Sequence, residues 1–177
     1  MEKRSINFEL RAKPESRTIF GTATVFNSSY DMGWYDEEMD SDSLSKADMN
    51  DVVALFNHDM NMVLARTSSG TLKLNVTGNA MEYEFDAPNT TLGNDLLEMV
   101  KRGDIYQSSF AFTVLAEDWQ ERQGMKPKRI IRSIQKVYDV SPVTYPANPD
   151  TMVAKRSYDA TKEIDKDLLK VIDISVK

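Results

Sequence analysis

Residues 104–114 have the sequence Asp-Ile-Tyr-Gln-Ser-Ser-Phe-Ala-Phe-Thr-Val, and this mixture of β-branched and aromatic residues is typical of a strand. Successive side chains of a strand point to opposite faces, so Phe110 and Phe112 share a face with Ser108. The apolar face must be buried, which turns Ser109 away from the core. A serine in this place is either a rigidly mounted nucleophile or a plain surface residue, and the strand alone does not distinguish the two.

The same β-prone composition recurs on both sides of this segment and predicts a chain dominated by short strands. The predicted strands cover residues 4–11, 17–27, 52–57, 62–66, 71–77, 80–86, 105–117 and 129–145. Gly21 indicates a bulge or a close backbone approach, and the acidic residues 28–43 predict a long loop. One helix is expected over 90–102, capped by Thr90 or Thr91 and ended by Gly103. The expected fold is mainly β, a closed or curled barrel of about six to eight short strands with flanking helices.

Length and charge limit the class of protein. The 177 residues fit one domain, and a net charge of -6 is unlike the basic surface of a nucleic-acid-binding protein. No apolar run approaches the roughly 18 residues of a membrane helix, and the N-terminus lacks the apolar stretch of a signal peptide. We therefore expect a soluble cytoplasmic protein without nucleic-acid or membrane partners. Residues 1–155 are assigned to the folded domain and residues 156–177 to a charged C-terminal segment. In that segment a helical spacing is carried by Ile164, Leu168, Leu169 and Val171.

The sequence contains one histidine and no cysteine, and this limits its chemistry. No thiolate site can form, and a zinc site would have one imidazole at most. The acidic stretch 36–42 lacks the glycine and the terminal glutamate of a calcium loop. We therefore expect neither a metal nor another cofactor. Any histidine-dependent proton transfer must use His58, at the end of the predicted strand 52–57. The alternative is a loop histidine capped by Asp59.

A serine and a histidine that act together need a third group to hold the imidazole in the productive tautomer. The chain has no second histidine, so this group must be a carboxylate or an amide. Asp139 is the best candidate because it interrupts a strongly β-prone run, where an acidic residue is disfavoured unless something requires it. An aspartate on the rim of an edge strand would have the same sequence context. Asp59 and Asp104 are the other candidates.

Four segments of the chain together resemble the prohead proteases of tailed phages, a family whose fold is related to the herpesvirus assemblins. They are residues 51–59 (DVVALFNHD), 63–72 (VLARTSSGTL), 103–112 (GDIYQSSFAF) and 138–147 (YDVSPVTYPA). The chain departs from the usual Leu-Gly-Arg and Ser-Phe-Gly-Phe of the family at Ala65 and Ala111. Each change adds one methyl group, which is tolerated where the backbone has a negative φ.

The resemblance implies a serine endopeptidase. Ser109 would be its nucleophile, His58 the base and Asp139 the group that orients His58. Backbone N–H groups are the default donors to the oxyanion, with Arg66 as an additional candidate. Assemblins use a second histidine as the third member, which this chain does not have.

The resemblance also implies partners and a compartment. The substrates would be the scaffold segment of the major capsid protein precursor and the protease itself, cleaved inside the procapsid in the host cytoplasm. Residues 156–177 would form a helix or be removed by self-cleavage, and a homodimer is expected through the helix 90–102 or the C-terminal segment. One alternative is a catalytically inactive, scaffold-like capsid assembly module with the same fold. A further alternative is an unrelated peptide-binding β domain with an exposed strand edge.

Overall fold

The computed structural model describes residues 1–6, 10–145 and 154–163, except for the side chains of residues 5 and 6. In these ranges the chain forms eleven strands and two helices. The strands are β1 (Glu2–Ile6), β2 (Leu10–Ala12), β3 (Thr18–Val25), β4 (Ser29–Asp31), β5 (Asp36–Met39), β6 (Val53–Leu55), β7 (Val63–Arg66), β8 (Leu72–Val76), β9 (Ala80–Asp86), β10 (Gln107–Gln120) and β11 (Lys128–Val143). The helices are α1 (Thr91–Arg102) and α2 (154–163). The predicted mainly β class and the helix predicted over 90–102 are confirmed.

The strands form two sheets. The larger has the order β1-β10-β11-β5-β4, and β6 pairs with β11 and β7. The smaller has the order β2-β3-β9-β8. Because β11 has 16 residues, it pairs with β10 along one edge and with β5 and then β6 along the other. Neither sheet closes on itself in the described chain, so the predicted barrel is not confirmed.

Residues 28–43, predicted as a long loop, contain β4 and β5. The prediction is wrong because the reason for strand formation lies elsewhere in the chain. β5 pairs in parallel with the start of β11, where basic residues meet its acidic ones. Lys128 Nζ is 2.7 Å from a carboxylate oxygen of Glu38, and Arg129 Nη1 is 2.9 Å from one of Glu37. This neutralisation makes an acidic strand possible and cannot be seen in local composition.

The core lies between the two sheets and α1, and the ends of α1 are those expected from the sequence. The hydroxyl of Thr90 accepts a hydrogen bond from the Gly93 N–H at 3.2 Å, which caps the helix start. Gly103 ends the helix in the left-handed conformation, with φ 83°. Burial of each aliphatic side chain contributes roughly 1.5–3 kcal/mol. The large buried residues of the helix are Leu96, Leu97 and Val100.

Gly21 marks a close approach between β3 and the ring of Tyr83 on β9. A Cβ at Gly21 would lie 2.7 Å from Cζ of Tyr83, so a larger residue would push the ring aside. The tyrosine is buried, and its hydroxyl oxygen is 2.8 Å from Oγ of Ser108 on β10. This contact joins the smaller sheet to the larger and holds the Ser108 side of β10 against the core.

The helix α2 crosses the predicted domain boundary at residue 155. It packs through Tyr158 on the rings of Trp34 and Trp119, with ring centroids 5.4 and 5.0 Å away. The described part of the predicted C-terminal segment is therefore helical up to residue 163. The residues that carried the predicted helical spacing lie outside the described ones: Ile164, Leu168, Leu169 and Val171. Removal of residues 156–177 by self-cleavage stays a prediction.

Neither helix in the part of the chain that the structure describes is long and apolar enough to cross a membrane.

Candidate active site

Ser109 lies near the start of β10, between two neighbouring strands. It is opposite Ser5 of β1 on one side and opposite Ser141 of β11 on the other. Its side chain faces away from the core that holds Phe110 and Phe112, as the alternation predicts. The second face is covered too, because Ser109 is 0% exposed. This burial excludes a plain surface serine.

The turn after β6 carries His58 to the same place. β6 pairs in parallel with β11, with Val53 opposite Asp139, so the chain that leaves β6 emerges beside that carboxylate. Asn57 and His58 both have left-handed backbone conformations, with φ 56° and 58°. Such conformations are uncommon for residues other than glycine and persist where the surroundings hold them.

Asn57 supplies the contacts that hold this turn. Its N–H donates to the carbonyl oxygen of Pro142 at 3.0 Å. Its side-chain oxygen accepts from the Thr144 N–H at 2.8 Å, and its amide nitrogen is 3.2 Å from the Thr144 hydroxyl. The turn is therefore tied to the end of β11, and His58 is held at a fixed distance from that strand.

The structure brings Ser109, His58 and Asp139 into one chain of hydrogen bonds. His58 Nε2 is 2.7 Å from Ser109 Oγ, and His58 Nδ1 is 2.6 Å from Asp139 Oδ1. The side chains of His58 and Asp139 are 6% and 7% exposed. A neutral imidazole that donates Nδ1–H to the aspartate presents the lone pair of Nε2 to the serine hydroxyl. The arrangement can therefore remove a proton from Ser109.

Sequence reasoning missed Ser141. Its hydroxyl donates to Asp139 Oδ1 at 2.7 Å and lies 3.3 Å from His58 Nδ1. The signal was present in the sequence, because Ser141 follows Asp139 by two residues in a strand and must lie on the same face. The hydroxyl stabilises the carboxylate and limits its rotation.

The two other candidate carboxylates have different partners. Asp59 accepts hydrogen bonds from the backbone and the side-chain amide of Asn61, at 2.9 and 3.0 Å. Asp104 forms an ion pair with Arg102 at 3.1 Å. Among the described contacts it is Asp139, and not Asp59, that meets the imidazole of His58.

A cleft of about 550 Å³ opens beside His58 and Asp139. Apolar side chains form much of its wall, including Met60 and Val63, which are 84% and 49% exposed. Exposed apolar side chains beside a buried polar group are typical of a binding cleft. The other lining residues are Met1, Lys3, Asp51, Val53, Leu55, Arg66, Lys136 and Tyr138.

Arg66 lines this cleft but is paired with another group. Its Nε and Nη2 are each 2.6 Å from a carboxylate oxygen of Asp51. Hydrogen bonds from Arg66 and Ser68 hold the pKa of Asp51 well below its usual range. The structure thus places Arg66 near the chain of Ser109, His58 and Asp139, with its guanidinium on Asp51.

In the described residues, no three His, Asp or Glu side chains are grouped so that they could hold a metal ion.

Comparison with known families identifies the family of the chain. The family model of the caudovirus prohead serine proteases matches residues 6–164 of the 177. The chain therefore belongs to the caudovirus prohead serine protease family. Membership of this family makes it a serine protease of capsid maturation, which interacts with capsid proteins inside the procapsid. No curated protein and no solved structure matches the chain, so the relation to the assemblin fold stays a prediction.

Proposed function

We propose that this chain is the endopeptidase that cleaves the scaffold segment of the major capsid protein precursor, and itself, during prohead maturation. The observation that carries the proposal is the chain of hydrogen bonds from Asp139 through His58 to Ser109. Acyl transfer by serine requires a base within hydrogen-bond reach of the nucleophile and an orienting group within hydrogen-bond reach of the base. Fold alone would not support this function, but these side chains do.

In the proposed reaction Ser109 Oγ attacks the carbonyl carbon of the scissile peptide bond. His58 Nε2 takes the hydroxyl proton and then delivers it to the leaving nitrogen, so that the C–N bond breaks and an ester to Ser109 remains. Water then attacks the ester with His58 again as base, and Ser109 regains its proton. Asp139 keeps Nδ1 protonated throughout and stabilises the imidazolium that forms.

The tetrahedral intermediate needs donors aimed at its oxyanion. Backbone N–H groups are the first choice, and Arg66 is the second because it lines the same cleft as His58. Substitution Arg66→Ala separates the two, with turnover of one peptide substrate as the readout. A loss of about 100-fold or more would assign Arg66 to the oxyanion. A loss of only a few-fold would leave it the role of pairing with Asp51.

Labelling with a fluorophosphonate tests the proposed function directly. The probe phosphonylates an activated serine hydroxyl and adds a defined mass to the intact protein. We expect one label per chain, on Ser109, and no label on the Ser109→Ala variant. A folded wild-type protein that takes no label and cleaves no capsid precursor would instead indicate the inactive assembly module, which no observation favours.

Cleavage of the natural partners is the second part of the proposal. The purified chain should shorten the major capsid protein precursor at its scaffold segment, and intact masses should show whether its own residues 156–177 are lost. The same samples answer the question of a homodimer, because light scattering gives the mass of the assembly before and after cleavage.

A further inference from the structure

The nucleophile is covered by the N-terminal strand of its own chain. β1 is the edge strand of the larger sheet and pairs with β10 in antiparallel fashion, with Lys3 opposite Ala111 and Ser5 opposite Ser109. The carbonyl oxygen of Arg4 is 2.9 Å from Ser109 Oγ, and it accepts a hydrogen bond from that hydroxyl. A hydroxyl has one proton, so the Arg4 carbonyl competes with His58 for it. No room is left beside Ser109 for a substrate carbonyl, since the serine is 0% exposed.

β1 also extends into the cleft beside the base. Met1 and Lys3 line that cleft together with His58 and Asp139. One short strand therefore contacts the nucleophile through its backbone and the cleft through alternate side chains. An extended peptide that binds to a serine protease must make both kinds of contact, and addition to an exposed sheet edge is a common way for proteins to bind such a peptide.

Two of the described side chains of β1, Glu2 and Arg4, form buried ion pairs. Glu2 and Arg4 turn to the opposite face, where they are 4% and 2% exposed. Arg129 Nη1 and Nη2 are 2.7 and 2.9 Å from the two Glu2 oxygens, and Arg4 Nη2 is 2.8 Å from Glu37 Oε2. A buried ion pair contributes little net free energy, because the cost of removing both charges from water offsets most of their attraction. Among the described strands β1 pairs only with β10, so its displacement breaks one ladder of backbone hydrogen bonds and these ion pairs.

We infer that the edge of β10 beside Ser109 is the binding site of an extended substrate segment, and that β1 occupies this site until a substrate displaces it. The inference rests on the proposed function. A substrate in this place would continue the sheet by pairing with β10 and would direct alternate side chains into the cleft beside His58. Displacement of β1 removes the Arg4 carbonyl as a hydrogen-bond acceptor. The Ser109 hydroxyl can then donate its hydrogen bond to His58 alone.

A reversible disulfide between β1 and β10 tests this inference. The chain has no cysteine of its own, so Lys3→Cys with Ala111→Cys introduces the only pair that can form. Directly opposed residues of antiparallel strands have Cα atoms about 4.5–5.5 Å apart, which is within the range of a disulfide. The readout is the rate of labelling by a fluorophosphonate, because this small probe does not need the rest of the cleft and reaches Ser109 only while β1 is away from β10. The two single variants and the reduced double variant are the matched controls.

We expect the oxidised double variant to be labelled at least about 100 times more slowly than the same variant after reduction. Equal rates for the oxidised and reduced forms would overturn the inference and leave the proposed function intact. No labelling of wild type, of any reduced form or of a variant with a loosened β1, together with no cleavage of the capsid protein precursor, would overturn the proposed function and this inference with it.

A variant that weakens the contacts of β1 should be labelled faster. It provides a second test if the disulfide does not form. Glu2→Gln weakens the contacts to Arg129 and Arg4, and we expect labelling to become several times faster while amide exchange increases over residues 2–6. Glu84→Gln is the matched control, because Glu84 has an exposed ion pair with Lys73 on the smaller sheet. A folded Glu2→Gln protein with faster exchange over β1 and unchanged labelling would overturn the inference.

Discussion

Ser108 and Ser109 are neighbours on β10 and are equally buried, yet the two faces on which they lie have opposite chemistry. Ser108 faces the core, where its partner is the hydroxyl of Tyr83 at 2.8 Å. Burial raises the pKa of Tyr83 far above its ordinary value, so this pair stays neutral and contains no base. Ser109 faces an imidazole that is itself held by a carboxylate. Residue type and burial therefore do not make a serine reactive, but the basicity of its partner does.

The largest expected difference between the faces is in catalysis. Ser109→Ala should lower peptide hydrolysis by at least about 10⁴-fold, since loss of the nucleophile removes the covalent route. Ser108→Ala should keep activity within a few-fold, because its hydroxyl contacts Tyr83 and not the base. Both variants should be assayed on one peptide, with circular dichroism to establish that they fold. An inactive Ser108→Ala beside an active Ser109→Ala would reverse the assignment of the two faces.

Asp139 should have the next largest effect. Asp139→Asn keeps the shape of the side chain but removes the charge that stabilises the imidazolium and permits the wrong tautomer. In a serine protease with the same three residue types this change lowers turnover by about 10⁴-fold, so we expect a loss of at least about 100-fold here. Turnover should be measured in parallel for Asp59→Asn, which should be nearly neutral. A large loss in Asp59→Asn together with none in Asp139→Asn would require a different third member.

On the core face a hydroxyl matters for stability rather than for activity. Tyr83→Phe leaves the buried Ser108 hydroxyl without its partner, and we expect a loss of about 1–3 kcal/mol in the free energy of unfolding. Activity per folded molecule should change by no more than a few-fold. Urea unfolding gives the first quantity and active-site labelling the second. A fall in activity as large as that of Asp139→Asn would show that the two faces are coupled through β10.

The smallest expected effect concerns acid and the ion pairs of β1. Burial alone would raise the pKa of Glu2, but hydrogen bonds and charge from Arg129 and Arg4 outweigh it and lower this pKa below the ordinary value of 4.5. A carboxylate whose pKa is lower in the folded protein contributes stability above its unfolded pKa and loses it as the pH falls through the folded one. We therefore expect the free energy of unfolding to decrease below a pH of about 4.5, and less steeply in Glu2→Gln. Identical slopes for the two proteins would contradict this.

Local patterns were sufficient for several parts of this molecule. The period of two in β10 predicted that Ser108 and Ser109 lie on opposite faces, because strand geometry alone sets that alternation. Thr90 or Thr91 and Gly103 predicted the ends of α1, and the structure has Thr90 as the cap, since helix caps depend on a few adjacent residues. The count of one histidine limited the candidate bases to His58. Each of these statements depends on residues close together in the chain or on composition.

Other parts depended on contacts between distant residues. The strand β5 could not be predicted from its acidic residues, because the basic start of β11 neutralises them. No local pattern indicated that β1 would cover Ser109. The two strands pair residues that are far apart in the chain, and Ser5 and Ser109 are 104 positions apart. A barrel was predicted because short strands suggest closure. In the described chain β11 is long enough to pair with both β5 and β6 along one edge, and neither sheet closes.

The sequence determines which residues can perform proton transfer and nucleophilic attack. It also determines the strand face on which each lies, because backbone geometry repeats over a few residues. Their meeting does not follow from the sequence, because it depends on the tertiary structure. His58 is 51 residues from Ser109 and 81 from Asp139, and only the parallel pairing of β6 with β11 and the turn held by Asn57 bring the imidazole between them. A strand pattern states which way a side chain points, and only the packing of other strands determines what it meets there.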